Sequence, residues 1–201
     1  MKHITVSKKN WNDVLRESVR VLRRGGVVVY PTETSYALGA DATKKRSVRK
    51  VFHIKGRERT KLLSVLVANK IMIRRYAKFT ATAKRLWDAF LPGPLTIIIP
   101  GRRGGTMGIR LSTHPFAALL VKSLGHPITA TSANISGASP IHNANDILSI
   151  FSGRLHKPNF VIDAGILPKH SASTVVDCTG QSVQLLRKGP ITATQIKKAL
   201  R

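Results

Sequence analysis

The chain is short of several things at once. Among its 201 residues there are 9 Asp and Glu against 34 Lys and Arg, a single cysteine and 5% aromatic residues. The acid shortage leaves a formal net charge of +25. Such an imbalance implies a polyanionic partner or substrate, namely nucleic acid, nucleotide phosphates or an anionic membrane surface. A generally basic host proteome is the plainer alternative. One cysteine, Cys178, excludes an internal disulfide and a CxxC metal site, and fits a reducing cytoplasm. No apolar run approaches the roughly 20 residues that span a bilayer, and the basic residues are dispersed, so no membrane association is expected. Met1-Lys2-His3-Ile4 leads into polar residues rather than an apolar signal segment. GxxxxGK[ST], GxGxxG, HExxH and GxSxG are all absent. That excludes the usual nucleotide loops and leaves a hydrolase built on Ser132 with weak support. The seven histidines (His3, His53, His114, His126, His142, His156 and His170) show no metal-binding spacing, so no metal site is expected. His53 reads as a core histidine on the apolar side of its helix.

What is present is 42% hydrophobic residues, enough for one core. One domain over 1–201 is expected. Apolar and polar spacing predicts a short strand at 4–6 and a helix from Asn12, with Trp11, Val14, Leu15, Val19 and Leu22 on one stripe and Gly25-Gly26 as its stop. Val27–Tyr30 reads as a strand covered on both faces, stopped by Pro31. A turn at Gly39 precedes a helix ending near His53, capped by Thr43 or Ser47. Strands follow at 62–68, 95–99, 109–111, 127–131, 160–163, 174–178 and 183–186. Further helices are expected from Asn69, Thr80, Thr113, either Asn143 or Asn145, and Thr192. Gly101–Gly108 reads as a basic strand connection. The alternation predicts an α/β (α+β) domain around one open, twisted, mixed parallel and antiparallel sheet flanked by helices.

Polar residues converge at predicted strand ends, where open α/β sheets bind ligands. Thr32 and Thr34 follow one strand, and Ser132 and Asn134 another. Arg110 lies in a strand beside Gly108, and Lys55, Arg57 and Arg59 leave a helix. Hydroxyls orient small polar ligands, while guanidinium and ammonium groups hold carboxylate or phosphate. With Glu33, Asp41 and Glu58 the only acids nearby, two-metal carboxylate chemistry is disfavoured. Catalysis by positioning and charge neutralisation fits better, as in nucleotidyl or phosphoryl transfer. On spacing alone, the plainer reading stands level with this one: Thr32 and Ser132 cap turns and the cations are solvated.

The same residues carry a resemblance. The segment 30–41, YPTETSYALGAD, together with Lys55-Gly56-Arg57, Pro92-Gly93-Pro94-Leu95-Thr96, Gly108-Ile109-Arg110, Ser132–Gly137, Ser173–Asp177 and Leu186–Gly189, is similar in order and content to the YrdC/TsaC family of L-threonylcarbamoyladenylate synthases. The resemblance implies a basic concave face and no extra C-terminal domain. It implies a reaction joining L-threonine, bicarbonate and ATP, with Mg2+ on the nucleotide, for threonylcarbamoyladenosine in tRNA. By matching motif positions, Thr32, Arg110, Ser132 and Ser173 would line the threonine side. Lys55, Arg57, Arg59, Asn134 and Arg187 would bind ATP, with Lys55 and Arg57 the catalytic pair. Contacts with tRNA or double-stranded RNA and with other proteins of the pathway are also implied. Glu58, Leu62 and Ser112 stand where many members have proline. A non-catalytic RNA-binding module is the alternative, weakened by the scarcity of aromatic stacking platforms.

Overall fold

A computed structural model describes residues 1–201. It forms β1 (Lys2–Thr5), α1 (Trp11–Arg23), β2 (Val28–Pro31), β3 (Tyr36–Gly39), α2 (Lys45–Lys55), β4 (Ser64–Leu66), α3 (Lys70–Arg74), α4 (Ala81–Phe90) and β5 (Leu95–Pro100). It continues with β6 (Thr106–Arg110), α5 (Pro115–Leu124), β7 (Ile128–Thr129), β8 (Thr131–Ser132), α6 (Ala144–Phe151), β9 (Phe160–Asp163), β10 (Thr174–Asp177), β11 (Gln184–Arg187) and α7 (Ala193–Leu200). No helix is long and apolar enough to cross a membrane.

The expected mixed α/β architecture is present, but its strands divide into two sheets. One has the order β1-β9-β2-β3-β8 and the other β11-β10-β5-β6-β4-β7, each with parallel and antiparallel pairs. The chain crosses between them within five residues: β7 pairs with β4 and, one residue later, β8 pairs with β3. Thr129 sews the crossing together. Its hydroxyl donates to the Leu38 carbonyl at 3.0 Å and accepts from the Ala40 amide at 2.9 Å, while the buried Tyr30 hydroxyl donates to its carbonyl at 3.0 Å. The expected single strand 127–131 therefore serves two ladders.

Side-chain alternation explains the layers. In β2, Val28 and Tyr30 enter a large core with α1, α4 and α5, whereas Val27 and Val29 enter a smaller core with α2 and α6. The expected burial on both faces thus holds. In β5, Leu95, Ile97 and Ile99 enter the large core, while Thr96 and Ile98 face a cavity. Several local expectations hold for the reasons given. Val14, Val19 and Leu22 are the buried stripe of α1, and Gly25 follows it with φ +77. Asn69, Thr80, Asn143 and Thr192 accept hydrogen bonds as helix N-caps.

Others are corrected. Pro31 does not stop β2, but pairs with Tyr36 in a hairpin whose return strand, β3, replaces the expected turn at Gly39. Neither Thr43 nor Ser47 caps α2: the Thr43 amide and hydroxyl both donate to Asp41 Oδ1, and Ser47 is buried within the helix. His53 points outward, 2.9 Å from an Arg59 Nη2, because Ser47, Val51, Phe52, Ile54 and Lys55 are the buried residues of α2. The strand expected at 62–68 shortens to 64–66, and that at 109–111 shifts to 106–110.

Gly39 sits where the hairpin meets the crossing. A Cβ there would lie 2.7 Å from Tyr30 Cε1 and 2.9 Å from Ile128 Cγ2. Gly39→Ala is therefore expected to destabilise by roughly 1–3 kcal/mol through overpacking, read as a lower thermal midpoint. A midpoint equal to the wild type would show that the seam is looser than this geometry.

Candidate functional site

The two sheets enclose a cavity of about 530 Å³ at their junction. It draws on the β2–β3 turn (Thr32, Thr34), the end of α2 (Lys55, Arg57), β5 (Thr96), β6 (Arg110), the loop after β8 (Ser132, Asn134) and the last strands (Ser173, Arg187). Five lysines and arginines line it (Lys55, Arg57, Lys61, Arg110 and Arg187) and no aspartate or glutamate does. All but one of the residues singled out from sequence thus come together. Arg59 does not: it is exposed and bonded to His53. The left-handed Gly56 turns the chain out of α2, and Arg57 follows the cavity wall while Arg59 continues outward.

The hydrogen bonds divide these residues into two kinds. The hydroxyls and the amide are committed to holding loops. The Thr32 hydroxyl donates to the Ser35 carbonyl at 2.7 Å and accepts from the amides of Thr34 and Ser35, so it builds the β2–β3 turn. Ser132 Oγ donates to Asn134 Oδ1 at 2.5 Å, and Asn134 Nδ2 donates to the Ala138 carbonyl. No base is hydrogen-bonded to the Ser132 hydroxyl, which leaves the hydrolase reading raised by its strand-end position without support. Ser173 Oγ pairs with Thr96 Oγ1 at 2.9 Å and accepts from Arg187 Nη2 at 2.9 Å.

Lys55 is the most constrained of all. Its ammonium donates to the Ser132 carbonyl at 2.6 Å and to the carbonyl and Oδ1 of Asn134, each at 2.9 Å. These acceptors match its three protons. Its backbone carbonyl accepts from the Ser136 amide. Burial, and then the neighbouring Arg57 charge, draw its pKa down to about 8. So Lys55 gives the cavity charge while its donors hold the 132–136 loop.

The guanidiniums retain unused donors. Arg57 Nη2 reaches only the Leu62 carbonyl at 3.3 Å, and its Nε is buried without any partner. Native structures seldom leave such a donor unmet, so the geometry there is that of an anion seat. Arg187 is held by Ser173 through Nε and Nη2, which leaves Nη1 free. Its pKa is lowered by burial and then by the charge of Arg110, which lines the same cavity. Glu33, which sequence reasoning treated only as a nearby acid, pairs with Arg110 Nη2 at 2.5 Å from outside the cavity wall. Lys61, Thr96 and His170 also line the cavity and went unremarked. Thr96 sits in the PGPLT segment, a signal that sequence could have used. Of the prolines replaced, Glu58 is exposed and lies 3.7 Å from Lys61, turned away from Arg57's seat.

Fold and site together define an α/β protein with a cationic, acid-free cavity where two sheets meet. Residues 20–189 match the Sua5–YciO–YrdC family model, described as telomere recombination, and the chain belongs to that family. It is 31% identical over 156 residues to a threonylcarbamoyl-AMP synthase of Nitrosococcus oceani, covering 73% of this chain and 83% of that protein. It is 33% identical over 196 residues to that of Pyrococcus abyssi, covering 92% of this chain and 57% of that protein. It superposes on the crystal structure of P. abyssi Sua5 complexed with L-threonine with a TM-score of 0.88 at 31% identity, over 99% of this chain and 60% of that one.

Because the Lys55 pKa lies below the ordinary lysine value of 10.5, the folded protein gives up this proton before the unfolded chain does. The cost of the buried charge is fully present below pH 8 and disappears between about 8 and 10.5, so this group makes stability rise with pH in that window. Lys55→Met is expected to flatten the rise in a comparison of urea unfolding free energies from pH 7.5 to 10.5. Parallel curves for the two proteins would contradict it.

Proposed function

We propose that this chain is an L-threonylcarbamoyladenylate synthase, joining L-threonine, bicarbonate and ATP into threonylcarbamoyl-AMP with release of pyrophosphate. The observation that carries the reading is the cavity itself: five cationic side chains, no acid among its walls, and a buried Arg57 Nε awaiting an acceptor. Its volume of about 530 Å³ falls in the range of small-molecule sites. The named synthase relatives and the threonine complex of the similar P. abyssi protein support the same substrates. The chemistry makes it a nucleotidyltransferase. The threonine nitrogen forms a C–N bond to the bicarbonate carbon and water leaves. A carbamate oxygen then attacks the α-phosphorus of ATP and the bond to pyrophosphate breaks.

In this reading Arg57 and Arg187, with the charge of Lys55 and Lys61, face the triphosphate and the negative charge that builds on departing pyrophosphate. Arg110 takes the amino acid's carboxylate, with Thr32, Ser132 and Ser173 shaping the wall around it. Lys55 and Asn134 hold the 132–136 loop that both substrates touch. No side-chain nucleophile is needed, which agrees with the committed state of Ser132 Oγ. Arg59 stands outside the mechanism. Mg2+, implied on the nucleotide, does not fit as an ion held by protein ligands. The cavity walls offer no carboxylate, and adjacent Glu33 is bonded to Arg110 and Ser112. Neutralisation by the chain's own residues falls to the guanidiniums.

The reading takes 1–201 as one domain working in the cytoplasm and handing its product to other proteins of the pathway. Contact with tRNA or double-stranded RNA is proposed as an addition rather than a replacement. A second cavity, of about 470 Å³, runs along α1 beside Ser123 and is lined by Arg16, Arg20, Arg23 and Arg24. Such a cationic face would bind RNA electrostatically, with a steep salt slope.

The test is pyrophosphate release. It is expected to require ATP, threonine and bicarbonate together, and release without threonine would end the synthase reading. Arg57→Ala is expected to lower kcat/KM for ATP by roughly ten- to a hundredfold, the scale of lost hydrogen bonds to a charged group. Arg59→Ala is expected to stay within about twofold of the wild type, and the opposite ranking would overturn the site assignment.

A further inference from the structure

A carboxylate beside an anion site needs a reason, because it cancels charge that the ligand would use. Glu33 is the case in point. Its side chain is 15% exposed, that of Arg110 is 11% exposed, and Glu33 Oε1 meets Arg110 Nη2 at 2.5 Å. The same Nη2 also approaches Thr34 Oγ1 at 3.3 Å. One edge of the guanidinium is thereby occupied, while Nε and Nη1 have no partner within the protein.

Glu33 is itself held. Ser112, 79 residues away and buried, donates its hydroxyl proton to Glu33 Oε2. The direction of that bond is fixed, because a carboxylate oxygen can only accept; Ser112 Oγ in turn accepts from the His114 amide at 3.1 Å. His114 Nδ1 in turn accepts from the Phe116 amide at 3.2 Å, capping α5. The carboxylate therefore lies at the amino end of a ten-residue helix, where the dipole favours negative charge. A continuous path runs from the first turn of α5 through Ser112 and Glu33 to Arg110. A proline at position 112 would have no hydroxyl with which to make it.

We propose that Ser112 and Glu33 form a positioning clamp that holds Nη2 of Arg110 and so presents its free Nη1 to the carboxylate of the amino-acid substrate. This rests on the assignment of Arg110 to threonine. The clamp has a physical purpose. Arg110 and Arg187 line the same cavity and carry like charge, and an untethered guanidinium would swing away from its like-charged neighbour. With Glu33 holding Nη2, Arg110 stays in place before substrate arrives, and the amino acid meets a donor that needs no reorganisation.

Two measurements on the full chain test this. The first is the threonine KM and the ATP KM from pyrophosphate release. Ser112→Ala is expected to raise the threonine KM about five- to tenfold, the scale of a lost hydrogen bond to a charged group, with kcat and the ATP KM within about twofold. Ser112→Thr, which keeps the hydroxyl, is expected to restore it, and Glu33→Gln to move it the same way as Ser112→Ala. Equal rises in both KM values, or an unchanged threonine KM in both Ser112→Ala and Glu33→Gln, would overturn the clamp. The second is the pair of 15Nη resonances of Arg110 in 15N-labelled protein without ligands. Two separate signals are expected in the wild type, because Glu33 holds Nη2 and restrains rotation about the Nε–Cζ bond, and one averaged signal in Ser112→Ala; an unaltered pair in the variant overturns the clamp. If the wild type shows no threonine-dependent turnover, the synthase reading fails on its own, and the resonances still decide whether Ser112 holds Arg110.

Discussion

The structure depends on a buried ammonium. Lys55 lies 2% exposed at the last turn of α2, and a lone charge there would be costly to take out of water. Three oxygens from Ser132 and Asn134 meet its three protons and make the position tenable. The bond is reciprocal in effect. It places the end of α2 and, through it, Arg57; it also fixes the loop that leaves β8 just after the chain has crossed from one sheet to the other. The crossing is thereby pinned on both sides of Ala130, by Thr129 to β3 and by Lys55 to the loop that lines the cavity. Once the loop is held, most of its polar groups are committed, and the guanidiniums of Arg57, Arg110 and Arg187 keep unused donors. Charge neutralisation is what such a cavity can do, and nucleophilic catalysis by its serines is not.

Much of the fold was legible because its signals are local. The stripe of α1 ends at a glycine with positive φ, and four helices open on capping residues whose side chains bond as their identity predicts. The continuous apolar run of β2 correctly read as a strand buried on both faces. The failures are non-local. β3 is Tyr-Ala-Leu-Gly, with no β-branched residue, and it is a strand only because β2 and β8 supply its ladder. The stretch after Pro127 reads as one strand because nothing in its composition marks Ala130 as the point where the partner sheet changes. His53 was assigned to the wrong face because neighbouring Phe52 and Ile54 are apolar, whereas the buried set of α2 follows Ser47, Val51 and Lys55.

The site was legible in its membership and less so in its roles. Strand ends bearing Thr32, Arg110, Ser132 and Arg187 do converge. Two readings that stood level on spacing turn out to be parts of one structure: the hydroxyls shape turns, and the turns carry the walls of the pocket. Residue type alone could not separate Arg57 from Arg59, because the difference lies in the left-handed turn at Gly56. Nor could it join Glu33 to Ser112, since the pair is made only when β2 and the end of β6 are brought together across the junction. From sequence, Ser112 was only a departure from the family's usual proline, and in the fold it is a bonded, buried hydroxyl.

The central claim is that a single cavity at the junction of two sheets receives a nucleotide and an amino acid side by side, on guanidiniums held ready by committed neighbours. The most direct measurement is thermal unfolding with ATP, with threonine and with both, since a ligand that binds only the folded state raises the midpoint according to its concentration and affinity. The account predicts a rise with ATP and a larger one with ATP and threonine together than with either alone, lost in Arg57→Ala. A midpoint indifferent to ATP, or the same shifts in the Arg57→Ala protein, would contradict it.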